Sequence, residues 1–271
     1  MPYIKETYIT GAVTEVTKKF TFTYKGKATK RSPKTKETPE SQKKQNEGIA
    51  IKKLRRLINA NFGYGDYHLV LDYKPECRPK TPQEAKENLE KFLRKMRAAY
   101  KKLGKVFKYV ATTEFGERAW HHHLVINCVD IKIISDIWEN GRPKLFPLDK
   151  TGQYKQLASY IIKQTRKTFN DPKRQVHKKR WCPSSNLIKP EPIIEIVKAS
   201  SWREDPKPQK GYMISEQYSG TNDITGYQYQ FYSMVKIDAY KGRQAKNERK
   251  MHTKHDNKSK LPRVPYPRDH N

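Results

Sequence analysis

The chain has 271 residues, enough for one large domain or two small ones with a sizeable core. Its 57 Lys and Arg against 28 Asp and Glu leave a formal charge of +29, which favours a polyanionic partner, either nucleic acid or an acidic membrane surface. No apolar stretch approaches the ~18–20 residues that span a bilayer, the start lacks the apolar segment of a secretory signal, and Cys77, Cys128 and Cys182 are too scattered for a disulfide framework or a cysteine zinc site; a soluble cytoplasmic protein is expected.

The opening, "YITGAVTEVTKKFTFTY", is rich in β-branched and aromatic residues and reads as one or two strands. A polar, lysine-rich loop follows, "KGKATKRSPKTKETPESQKK". A helix is then expected with Thr38 as N-cap and Pro39 at its first position, an apolar face at Ile49, Ile51, Leu54, Leu57 and Ile58, and an end near Asn61. "DYHLVLDY", Asp66 to Tyr73, reads as a buried strand. Thr81, Pro82 and Glu84 form the start of a second helix, with a T-x-x-E capping box. Its stripe is Leu89, Phe92, Leu93, Met96 and Tyr100, and Gly104 ends it.

Two strands come next, "VFKYVATTEF" and "HHHLVINC", joined by "GERAW" into a hairpin. A short helix around "ISDIWENG", a strand "PKLFPL" and a helix from about Gln153 to Lys167 follow. Beyond Asn170 the chain turns basic and irregular, with strands only at "IIEIVK" and "YQYQFYSMVKI". After Tyr240 ten Lys and Arg meet three acidic residues and almost nothing apolar, the composition of a disordered arm attracted to nucleic acid.

Alternation on a strand sends His121 and His123 to one face and His122 to the other. Two imidazoles so spaced can chelate one ion, and Glu114 on the partner strand can add a carboxylate oxygen. Two nitrogens and an oxygen, with positions left open, suit a catalytic divalent cation. A solvated histidine cluster is the plain alternative. In the last helix, Tyr154, Leu157, Ala158, Ile161 and Ile162 gather on the buried stripe, while Tyr160 falls on the side of Gln156, Lys163 and Lys167. An exposed tyrosine beside a lysine is by itself a surface pair. Next to a metal site it gains a role: a phenol of pKa about 10 is a poor nucleophile until cations stabilise its anion.

"HHHLVIN" followed some forty residues later by "YIIK" resembles the HUH endonuclease superfamily, and within it the rolling-circle replication initiators of phages and plasmids. "TEFG", "NFGYGDYHLVLDY" and "CPSSNLIKP" add to the likeness, which covers about residues 45 to 195; His122 stands where that family has a bulky apolar residue. The resemblance implies an α+β fold: a central antiparallel sheet with the histidines on a middle strand and helices on its other face. It implies His121, His123 and Glu114 as ligands of Mg²⁺ or Mn²⁺, Tyr160 as nucleophile and Lys163 as its partner lysine. Lys167, Arg166, Trp120 and His122 are candidate DNA contacts, with packing the other reading of His122.

The expected organisation is 1–44 as N-terminal strands and basic loop, 45–195 as a nuclease core, 196–240 as a β-rich segment and 241–271 as a basic tail. The expected substrate is single-stranded DNA at a replication origin, nicked and rejoined through a 5′-phosphotyrosine. With no G-x-x-x-x-G-K-[S/T] the chain should use no ATP, and a host helicase and DNA polymerase would have to be borrowed. The rivals are a non-catalytic nucleic-acid-binding protein, a water-activating nuclease and a conjugative relaxase.

Overall fold

In the computed structural model, residues 1–21, 39–177, 179–222 and 225–237 are described. The expected Thr38 cap, most of the lysine-rich loop and the basic tail lie outside them. The described residues form an α+β fold of two five-stranded antiparallel sheets and four α-helices.

Strands β1 (Tyr3–Thr10) and β2 (Val13–Phe20) form a hairpin. Its two-residue turn starts at Gly11, with φ 59°, and a Cβ there would sit 2.6 Å from the Asn59 carbonyl oxygen, so both conformation and space require glycine. Helix α1 runs Glu40–Asn61, with Pro39 just ahead of it rather than inside. Strand β3 (Tyr67–Leu71) leads to α2 (Pro82–Lys102). Thr81 Oγ1 accepts from Glu84 N, and the Glu84 carboxylate reaches back one residue further than a capping box, to Lys80 N at 2.7 Å. The hairpin β4 (Tyr109–Phe115) and β5 (Trp120–Ile126) follows, then α3 (Ile131–Ile137), β6 (Pro143–Pro147) and α4 (Lys155–Asn170). Beyond lie β7 (Cys182–Pro183), β8 (Ile193–Val197), β9 (Tyr212–Thr221) and β10 (Gln228–Lys236).

The first sheet has the order β6-β3-β5-β4-β7, so the histidine strand is central. Leu69, Leu71, Ala111, Leu124 and Ile126 fill one face against Leu89, Phe92 and Met96 of α2 and Ile134 of α3. Helices α2 and α3 lie on that face, opposite the histidines, as the resemblance implied; α1 and α4 cover part of the histidine face as well, because Val110 and Val125 alternate onto it and need cover. They pack with Leu54, Ile58, Ile161 and Ile162. Ile49, expected on the apolar face of α1, is exposed.

The second sheet has the order β8-β1-β2-β10-β9. Strands from the two ends of the described chain therefore share one sheet. Strand β9 went unread in the sequence: "YMISEQYSGT" is too polar to show a buried face, and its residues are mostly half-exposed or exposed.

Candidate functional site

Register builds the site. Glu114 pairs across from His121 and Thr112 from His123 on one side of β5, and Val70 from His123 on the other. The pleat then brings His68, Asp72, Glu114, His121 and His123 to the same face. His123 Nε2 lies 2.9 Å from Glu114 Oε1, and its Nδ1 lies 3.4 Å from His68 Nε2. His121 Nδ1 lies 2.7 Å from Asp72 Oδ1, while the other Asp72 oxygen pairs with Lys144 Nζ. The backbone of Asp72 is clamped as well. Trp138 Nε1 donates to its carbonyl at 2.8 Å, and a Cβ on Gly141 would lie only 1.9 Å from that oxygen.

Helix α4 brings Tyr160 to this cluster. Tyr154 is buried in the core, as its place on the stripe predicts, and Tyr160 is 43% exposed. The Tyr160 ring stands edge-on to His123 and His68, with centroids 5.6 and 5.8 Å away. Ile161 and Ile162 fix the rotation of the helix in the core. Phe115 N donates to Thr168 Oγ1 at 2.7 Å, tying the helix to β4 one residue past Glu114. Lys163, Arg166 and Lys167 are exposed on α4, and Arg166 faces Glu47 at 3.6 Å.

Burial, then the negative charges of Glu114 and Asp72, raise the Tyr160 phenol above its ordinary value, opposed by Lys144. The influences on Asp72 oppose one another: burial is the largest and raises it, but the hydrogen bonds and charges of Lys144 and His121 together hold it below its ordinary value. Burial, helped by His123, pushes His68 down to about 4, so it is neutral at pH 7. The phenol thus stays protonated at neutral pH beneath two carboxylates, a field that added positive charge would oppose.

Two expected DNA contacts are not at the surface. His122 is fully buried, its Nε2 2.7 Å from the Tyr73 hydroxyl and its Nδ1 2.9 Å from Thr113 Oγ1. Burial, then the neighbouring histidines, push it down to about 3, so it is a neutral packing group. Trp120 is buried on the same face, in the core under α2 and α3. Both sit at even positions of β5, and the closed face claims that set. Conversely, sequence reasoning missed His68 and Asp72. They stand four residues apart in "HLVLD", which puts them on one face of a strand that otherwise reads as continuous core.

The donor types and their shared face suit a hard divalent cation. The side chains present close on one another instead, His123 with Glu114 and His121 with Asp72. No three His, Cys, Asp or Glu side chains among the described residues meet in metal-holding geometry.

Residues 66–169 match the family model for replication-associated protein ORF2/G2P. The match runs from just before β3 almost to the end of α4 and holds the whole cluster and Tyr160, and it ties this segment to DNA replication. A search of curated proteins returned no match, and neither did one of solved structures.

Proposed function

We propose that this chain, with its replication-associated segment at 66–169, nicks and rejoins single-stranded DNA at a replication origin through a covalent tyrosine link. The observation that carries the reading is the exposed Tyr160 ring within 6 Å of His123 and His68. A nucleophile must be open to a polymer substrate yet stand beside the groups that handle phosphate charge, and here one side chain meets both demands.

In the step, a bond forms between Tyr160 Oη and the scissile phosphorus as the bond from phosphorus to the 3′ oxygen breaks. The phenolic proton leaves to solvent and the 3′ oxygen departs as a hydroxyl, a primer for synthesis. The 5′ phosphate stays on Tyr160, and attack by a 3′ hydroxyl reverses the step. Mg²⁺ or Mn²⁺ would be held by His121, His123 and Glu114, and when bound would supply the positive charge that polarises the phosphate. Asp72 takes the Nδ1 of His121 and leaves Nε2 to a metal, the arrangement in which a carboxylate orients a ligating imidazole. Lys163, one turn along from Tyr160, and Lys144 add positive charge at the site's edge. Helicase and polymerase activities would come from partners, since the chain carries no phosphate-binding loop for a nucleotide.

The test uses a random single-stranded DNA library with Mn²⁺. The expected result is a denaturant-resistant protein–DNA adduct, with the nucleotide mapped to Tyr160 by peptide mass. Cleavage without an adduct would instead mark a water-activating nuclease. Binding with neither outcome would leave a DNA-binding protein alone.

A further inference from the structure

A second concavity lies outside the Tyr160 site, where β1, α1 and the segment from Trp181 through β7 to Pro190 meet. Its volume is about 350 Å³, within the range of pockets that hold small ligands, and its wall is mostly apolar. Tyr8, Trp181 and Leu187 line it, and Lys53, Arg56 and Lys189 stand around them, with no carboxylate in the lining. None of these residues belongs to the cluster around His123.

The wall is rigid although much of it has no regular secondary structure. Asn61 brackets Ile188 with two hydrogen bonds, Nδ2 to the Ile188 carbonyl at 2.8 Å and Ile188 N to Oδ1 at 2.7 Å. Ser184 N donates to the Tyr109 carbonyl, and Asn186 Nδ2 to that of Phe107. The stretch "CPSSNLIKP", which the chemistry at Tyr160 does not use, is thereby pinned between the edge of β4 and the end of α1. Arg56 is pinned too. Its guanidinium carbon sits 3.5 Å from the Tyr8 ring centre, and Glu15, the cross-strand neighbour of Tyr8, holds it with contacts of 2.7 and 2.8 Å.

We infer that this groove takes an unpaired base of single-stranded DNA, stacked on the Trp181, Tyr8 and Arg56 surfaces, with the flanking phosphates on Lys53 and Lys189. The inference rests on the proposed function for its substrate class and adds a second point at which the strand is held. A flat apolar unit flanked by negative charge is what a pocket of rings and aliphatic carbon, with lysines and no carboxylate in its lining, complements. An apolar peptide or lipid tail would leave Lys53 and Lys189 without a counter-charge. A base stacked within a duplex cannot enter, so the site selects single strands.

The test is titration of the full chain carrying Tyr160→Phe, which separates binding from strand transfer, with oligo(dT). Tryptophan fluorescence should quench on binding, and Trp181→Leu should remove most of that quench and weaken affinity about tenfold with the salt dependence kept. Lys53→Ala with Lys189→Ala should instead lower the slope of log K against log salt by about 1.4, from about 0.7 per phosphate. Unchanged affinity in a Trp181→Leu protein of normal melting temperature would overturn the inference, and so would a change in oligomeric state alone, which would give the groove to a second copy. If Trp181→Leu does not fold, photocrosslinking of 5-iodouracil DNA to the Tyr160→Phe chain decides: crosslinks at Trp181 or Tyr8 support the site, and crosslinks confined to other aromatics overturn it. Adduct formation by the unsubstituted chain is scored separately, so loss of the groove and loss of the Tyr160 chemistry give different results.

Discussion

In the sheet that carries His121 and His123, hydrocarbon closes one face and part of the other. The sheet built from the two ends of the described chain meets α1 through charge. Arg55 Nη2 lies 2.7 Å from Glu15 Oε1, close enough to pair electrostatically though off the angle of a hydrogen bond, and Arg55 Nη1 lies 3.3 Å from Glu216. Arg56 shares Glu15. Val13, Phe231 and Val235 are buried on the same face as Glu15, and Val16, Tyr232 and Met234 form a small apolar cluster on the other face. Hydrocarbon tolerates approximate fit, whereas a buried ion pair demands both partners. The two sheets should therefore fail differently when substituted.

The largest expected effect is at the first sheet and is chemical. Tyr160→Phe should abolish the covalent adduct while leaving the melting temperature within about 2 °C, because the hydroxyl of a half-exposed ring contributes little to stability. An adduct that survives this change would remove Tyr160 from the reaction. At the second sheet the largest effect is on stability. Glu15→Ala leaves Arg55, a fully buried side chain, short of its counter-charge, and should cost about 3–5 kcal/mol in urea unfolding. A cost under about 1 kcal/mol would mean that apolar contacts such as those of Val13, Phe231 and Val235 hold that sheet without the ion pair, and the contrast would fall.

A polar group inside the hydrocarbon sheet sharpens the comparison. His122→Ala should cost about 2–3 kcal/mol, since the Tyr73 and Thr113 hydroxyls lose their shared partner in a closed core. Adduct yield per folded molecule should be kept, because His122 faces away from Tyr160. Loss of yield without loss of stability would show that this imidazole acts across the sheet.

The same contrast decides what could be read from the sequence. The Thr81 cap of α2 follows from its residue type, while the apolar stripe of α2, the β4–β5 hairpin and the separation of Tyr154 from Tyr160 follow from periods of two and 3.6, and the structure has them. Strand β9 carries no such pattern, because its partner surfaces are charged and its outer residues exposed. Its Glu216 meets Arg55 across 161 residues, a pairing no local rule reaches. At the site, His121, His123, Glu114 and Tyr160 could be singled out because their spacings are short or periodic. Asp72 could not: its place beside His121 depends on the register of β3 on β5, which only folding sets. His122 was separable from its neighbours by the pleat, and of its two readings, packing or a DNA contact, the closed face leaves packing.

The smallest effect lies where the two sheets communicate. Glu216 on β9 also pairs with Lys155, the first residue of α4, at 2.7 Å, so the second sheet steadies the start of the helix that carries Tyr160. Burial is the largest influence on Glu216 and raises it, but Lys155 and Arg55 together hold it below the ordinary carboxylate value. A carboxylate depressed by folding stabilises fully above its unfolded value, near 4.3, and the contribution disappears as pH falls through the lower folded value. Glu216→Gln should therefore unfold more easily than the parent at pH 7, by about 1 kcal/mol or less for a partly exposed pair. The gap should narrow only below about pH 4.3 and close in stronger acid. Urea midpoints taken from pH 7 down to pH 3 test this. A gap that stays constant to pH 3 would show that the glutamate holds α4 by shape rather than by charge, and the division between a hydrocarbon-held and an ion-held sheet would then end at Arg55 and Glu15.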